Sequence, residues 1–199
     1  MSGHRRPRTS AAFLDESQPN RALDPHTYVL AATVCDAAAI VTSREAIAAL
    51  KLRGQLKLHW HDESAKRRME ITECIAGMSL RHFAVVRDGR PGETSERRRR
   101  HCLERMLYEL DGFEIATVCF ESRGPKDDRR DRDMLDALRA RKVISPDLRI
   151  DHIPGPREEL LWVADAICGA VVRHRSGDSI YLQTIEAASE VRLISIRSP

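Results

Sequence analysis

The chain has 199 residues and a mass of 22.5 kDa, which suits one well-cored domain and is short for two. Hydrophobic residues make up 42% and charged residues 32%, with 10 Gly and 9 Pro, so collagenous, disordered and membrane-embedded classes are excluded. The formal net charge is only +3, yet 28 of the 33 cationic side chains are Arg, the cation best shaped for phosphate.

Residues 1–9 hold three Arg, one His and one Pro with almost nothing apolar, and read as a flexible basic arm before a single domain over residues 10–199. No apolar stretch follows that arm, and no run approaches the roughly 18 residues of a membrane helix. A cytoplasmic protein with no membrane partner is expected. Two β-like stretches come next, residues 11–15 and 28–35, separated by a turn-rich connection containing Pro19, Asn20, Asp24 and Pro25; they read as a strand pair opening a sheet. The Ala-rich segment 36–51 is a helix with Ile40, Ile47 and Leu50 on its buried stripe. A second helix is expected over 63–78 and a strand over 80–86.

Residues 95–110 form the clearest amphipathic helix, with Cys102, Leu103, Met106, Leu107 and Leu110 at helical spacing and Gly112 at the C-terminal cap. A continuous apolar strand over 114–120 follows, then a polar loop, a helix over 132–142, a strand over 148–153 and a helix over 158–173. Residues 181–196 have room for a helix and a terminal strand. Strands and helices alternate through the second half, the pattern of an α/β domain. The five cysteines are widely spaced with no CxxC pair, so zinc-ribbon and disulfide scaffolds fail and each reads as a small buried hydrophobe.

Three acids stand where apolar residues belong. Asp165 is the one charge within LLWVADAICGAVV, residues 160–172. A helix apolar all round offers a carboxylate no wet face, and an unpaired buried carboxylate costs several kcal/mol. Its helical neighbours Leu161, Cys168 and Val172 are apolar, so a partner must come from elsewhere in the fold. Asp15 ends the AAFL stretch and Glu121 ends IATVCF, and strand ends are where side chains from separate elements converge in α/β sheets. Converging carboxylates repel one another unless divalent cations neutralise them, and oxygen-only ligands suit Mg²⁺ or Mn²⁺. Each acid also has a plain reading. Asp15 is a turn or cap residue, Glu121 pairs with Arg123, and Asp165 accepts from a buried Arg or Trp. The segment LHWHDES, with His59, His61, Asp62 and Glu63, either completes an acidic site or is a solvated loop and helix start.

The chain resembles the DUF3800 family, whose fold is ribonuclease H-like. The resemblance is carried by FLDES at 13–17, YVLAATV at 28–34, EIATVCFES at 114–122 and LLWVADAICGAV at 160–171. It implies an α/β fold, a mixed sheet with antiparallel opening strands flanked by helices, and an acidic site of Asp15, Glu121 and Asp165. One or two Mg²⁺ or Mn²⁺ ions there imply hydrolysis of phosphodiester bonds of nucleic acid, RNA or DNA, with Asp15 bridging two ions about 4 Å apart. His61 positions the attacking water or shuttles a proton. Arg97, Arg98, Arg99, Arg100 and Arg123 are the candidate phosphate contacts, the run of four being either a phosphate-facing patch or a solvated helix face. Two further readings use the same residues: a catalytically inactive interaction or regulatory module, as in a defence or toxin–antitoxin system, and a nucleotide phosphoester hydrolase.

Overall fold

The computed structural model describes residues 10–19 and 24–197; the expected basic arm over residues 1–9 lies outside them. Six strands form one sheet: β1 (Ser10–Ser17), β2 (Thr27–Asp36), β3 (Arg81–Asp88), β4 (Thr117–Glu121), β5 (Arg149–Ile153) and β6 (Glu190–Arg197), in the order β5-β4-β1-β2-β3-β6. β1, β2 and β3 run antiparallel to one another. β4 and β5 extend the sheet parallel to β1 on one side, and β6 lies parallel to β3 on the other.

Alternation along the strands divides the core in two. On one face Phe13, Val29, Ala31, Ala84 and Cys119 pack against α1 (Ile40–Ala48), α2 (Ala65–Ala76), α5 (Glu159–Arg175) and α6 (Ile180–Glu186). On the other, Leu14, Leu30, Phe83 and Phe120 pack against α3 (Ser95–Gly112) and α4 (Pro125–Ala140). The central strand β2 is buried over nine of its ten residues, hence its nearly unbroken apolar sequence. α5 lies across β1 and β2, and eleven of its residues are buried.

The expected elements differ from the observed ones by a few residues at their ends, as in α1 and β4, and most in α4. The helix expected at 132–142 begins at Pro125, because its first two turns face inward with Asp128 and Asp131 rather than with leucines. Pro at the first helical position and Asp127 and Asp128 in the first turn favour a helix start there. All five cysteines are free, and all but Cys74 are buried. Among the described residues no helix is long and apolar enough to cross a membrane.

Candidate active site

The geometry follows from register. Leu14 of β1 pairs with Phe120 of β4, so Asp15 and Glu121 follow side by side at the carboxyl ends of adjacent parallel strands. Both share the side-chain parity of Phe13 and Cys119 and therefore face α5, whereas Glu16 turns to the α3 face. The thiol of Cys168 donates to the backbone oxygen of Asp15 at 3.2 Å, docking α5 on β1. Asp165, one turn before Cys168, is thereby brought to the same rim. Asp15, Glu121 and Asp165 line one cleft of about 700 Å³, together with Lys57, His59, His61 and Arg68.

Two of these carboxylates are poorly stabilised as anions. Desolvation pushes Asp15 well above the usual carboxylate range, and the Asp165 charge adds to the effect. Desolvation also raises Asp165, against the backbone N–H of Trp60 and the charges of His59 and Lys57. The Trp60 N–H donates to Asp165 Oδ2 at 2.8 Å. Glu121 is held differently: Lys57 Nζ donates to both its oxygens at 2.7 and 2.8 Å.

Two glycines permit this packing. A Cβ on Gly169, one turn beyond Asp165, would lie 2.1 Å from the Trp60 indole, and one on Gly155 would lie 2.3 Å from Glu121 Oε1. The Trp162 indole N–H donates to the Gly155 oxygen at 2.8 Å and fixes that turn. The Trp60 turn is itself pinned by Arg68, which donates to the carbonyl oxygens of Trp60 and His61 at 3.0 and 2.9 Å. Arg68 therefore braces the wall of the cleft.

The structure brings together Asp15, Glu121, Asp165 and His61 around this cleft. It does not bring the arginine run there as a unit. Arg98 and Arg99 are buried: Arg98 donates to the Pro25 oxygen at 2.9 Å, and Arg99 donates to Glu16 at 2.6 Å and to both oxygens of Asp131 at 2.6 and 2.9 Å. A four-arginine phosphate patch is thus corrected to two outward residues, Arg97 and Arg100, because successive residues on a helix point about 100° apart and two of the four must face the sheet. Nor does Glu121 pair with Arg123, whose guanidinium stands 3.8 Å from Glu16 and 3.6 Å from Asp131.

Lys57 and the Trp60 N–H escaped the sequence reading. A backbone donor leaves no trace in sequence, but the polar Lys57, His59 and His61 alternate with the buried Leu58 and Trp60, and all of these except Leu58 line the cleft. His59, absent from the candidate catalytic set, is the histidine whose charge acts on Asp165.

The three carboxylates offer oxygen atoms, the donor type a hard divalent cation takes, and two of them are raised chiefly by desolvation. The shell is not closed, since among the described residues no three His, Cys, Asp or Glu form a group able to hold a metal ion.

No protein-family model matches the chain, and no curated protein matches it. Among solved structures it is similar to Bst-RNase HIII in complex with Mn²⁺, with a TM-score of 0.54, 17% identity, and coverage of 92% of this chain and 55% of that one. It is similar to ribonuclease H2 from Pyrococcus horikoshii OT3, with a TM-score of 0.58, 13% identity, and coverage of 90% and 80%. The RNase HII of the PCNA:RNase HII complex from Archaeoglobus fulgidus gives a TM-score of 0.52, 16% identity, and coverage of 88% and 78%. The chain spans about half the length of the ribonuclease HIII structures it matches. The likeness is one of fold: a ribonuclease H-like mixed sheet of six strands flanked by helices.

Proposed function

We propose that the chain is a divalent-metal-dependent hydrolase of nucleic acid phosphodiester bonds, with Asp15, Glu121 and Asp165 as its acidic site and the DUF3800 proteins as its family. The observation that carries this reading is the convergence of three carboxylates, from β1, β4 and α5, on one cleft where two of them are held as reluctant anions.

Asp15 and Asp165 would hold a Mg²⁺ or Mn²⁺ ion, with Glu121 as the third oxygen ligand; such an ion activates water and neutralises phosphate charge. The chain's own groups do the rest. The Trp60 N–H fixes the Asp165 carboxylate, which lines the cleft. Lys57 steadies Glu121 and places an ammonium beside an incoming phosphate. His61, on the wall of the cleft, is placed to take or deliver a proton.

The test is Mn²⁺-dependent cleavage of RNA, DNA and nucleotides by the wild type, Asp15→Asn and Asp165→Asn, with Mn²⁺ binding followed by titration calorimetry. Cleavage of polymer by the wild type and a loss of about two orders of magnitude or more in either variant support the assignment. Equal activity in all three proteins overturns it, and cleavage of nucleotides alone reduces it to a nucleotide phosphoester hydrolase.

One observation favours a second reading, an interaction module without chemistry: Lys57 already occupies both oxygens of Glu121, and no closed metal shell is present among the described residues. Lys57→Ala separates the two. Tighter Mn²⁺ binding in that variant supports the hydrolase; no Mn²⁺ binding in either protein supports the module.

A further inference from the structure

The face of the sheet opposite the cleft carries a groove of about 490 Å³. One wall is a stripe of α3, Arg97, His101, Arg105 and Tyr108, spaced four, four and three residues apart, which places them on one side of the helix. The stripe runs roughly 16 Å at 1.5 Å per residue. Val143 and Ile196 supply apolar surface, and Arg197 ends the edge strand beside it. Two neighbouring hollows share Arg90 and Arg97 with the groove and add Arg100.

Charge sets this groove apart. Arg87, Arg90, Arg97, Arg100, Arg105 and Arg197 line the three hollows against Glu93, Glu96 and Glu104. Six guanidinium groups against three carboxylates leave these hollows with an excess of three positive charges. Two of the acids are engaged as well. The Glu93 side chain is 4% exposed and accepts from Arg87 at 2.8 Å, and Glu104 pairs with Arg141 at 3.3 Å. Arg90, Arg100 and Arg197 have no carboxylate partner among the described residues. Tyr108 is 56% exposed and is the one aromatic among the exposed large hydrophobics of the described residues.

Guanidinium groups beside an exposed ring match phosphates alternating with bases. We infer that this groove is a second binding site, for single-stranded nucleic acid, with Arg97, Arg100 and Arg197 on phosphates and Tyr108 stacked on a base. The inference goes beyond the acidic cleft and stands whether or not that cleft cuts, because binding here requires no metal.

The test uses the full chain in EDTA, with fluorescence anisotropy of a labelled single-stranded oligonucleotide of mixed sequence titrated across salt concentrations, and heparin as a polyanion without bases. Substituting Arg97, Arg100 and Arg197 together with Gln is expected to weaken binding about tenfold or more near ~50 mM salt and to flatten the log-affinity against log-salt slope by about 2. Tyr108→Ala is expected to weaken the oligonucleotide about tenfold and leave heparin unchanged. An unaltered salt slope in the triple variant overturns the site. Equal effects of Tyr108→Ala on oligonucleotide and heparin, or none on either, overturn its assignment to nucleic acid.

Discussion

Arg99 and Asp165 are both charges carried inward on long helices, one on each face of the same sheet, and the protein treats them in opposite ways. Arg99 is sealed by two carboxylates from β1 and α4, with all three guanidinium nitrogens bonded, and this pairing raises its pKa further above the ordinary guanidinium value despite the burial. Asp165 receives one backbone N–H and stays a reluctant anion. A buried charge that is fully paired is structural; one left short of partners, on the rim of a cleft, is available to a ligand. Neighbouring residues of β1 make the same division, Glu16 serving the sealed network and Asp15 the open one.

Arg99→Met breaks the sealed side. It strands Asp131 and Glu16, and the expected loss is about 3–5 kcal/mol of unfolding free energy by chemical denaturation. His152, whose Nε2 lies 3.2 Å from Asp131, and Arg123 at 3.6 Å offer only partial replacement. A loss below about 1 kcal/mol would mean that the network is not what holds α3 and α4 to β1, and the contrast with Asp165 would fail.

Gly169→Ala tests how tightly the open side is built. The added methyl meets the rigid Trp60 indole, which is itself packed edge-on against Tyr181 at 5.1 Å. Overpacking of this kind costs about 1–3 kcal/mol, and displacement of Trp60 withdraws the N–H from Asp165. Gly155→Ala meets instead the movable end of Glu121. It is expected to change unfolding by less than about 1 kcal/mol, while weakening Mn²⁺ binding in calorimetry. Equal stability losses in the two variants would contradict this division between a rigid and a yielding neighbour.

The same distinction explains what the sequence discloses. An α/β domain was legible from alternation of strands and helices and from turn residues, since apolar patterning decides which face of an element is buried; its ribonuclease H-like form was implied only by the resemblance carried by the FLDES and LLWVADAICGAV segments. Asp165 was legible because a lone acid interrupts thirteen residues otherwise free of charge. The sealed network was not. Arg98 and Arg99 look like the exposed Arg97 and Arg100 beside them, and the start of α4 looks like a loop because Asp128 and Asp131 occupy its inward positions. Polar residues that bury each other carry no hydrophobic period. Lys57 was hidden for a different reason: its partner Glu121 is 64 residues away, and only the register of β1 on β4 brings the site together.

The smallest effect is the most diagnostic. A carboxylate whose pKa is raised by folding binds its proton more tightly in the native state, so it lowers stability at neutral pH, and that cost fades as pH falls towards the ordinary Asp value of about 3.9. Asp165→Asn, without metal, is therefore expected to be more stable than the wild type at pH 7 by on the order of 1 kcal/mol, with the difference closing near pH 4. His82 runs the other way in both proteins. Burial lowers it to about 4, so its contribution is complete above pH 6.5 and is lost on acidification through that window. Because His82 is common to both proteins, subtracting their denaturation curves cancels it and leaves Asp165 together with Asp15, whose pKa the Asp165 charge helps to raise. A variant less stable than the wild type at pH 7 would show that Asp165, like Arg99, is a structural charge, since a group that strengthens the fold while costing nothing as an anion has no unmet demand for a cation.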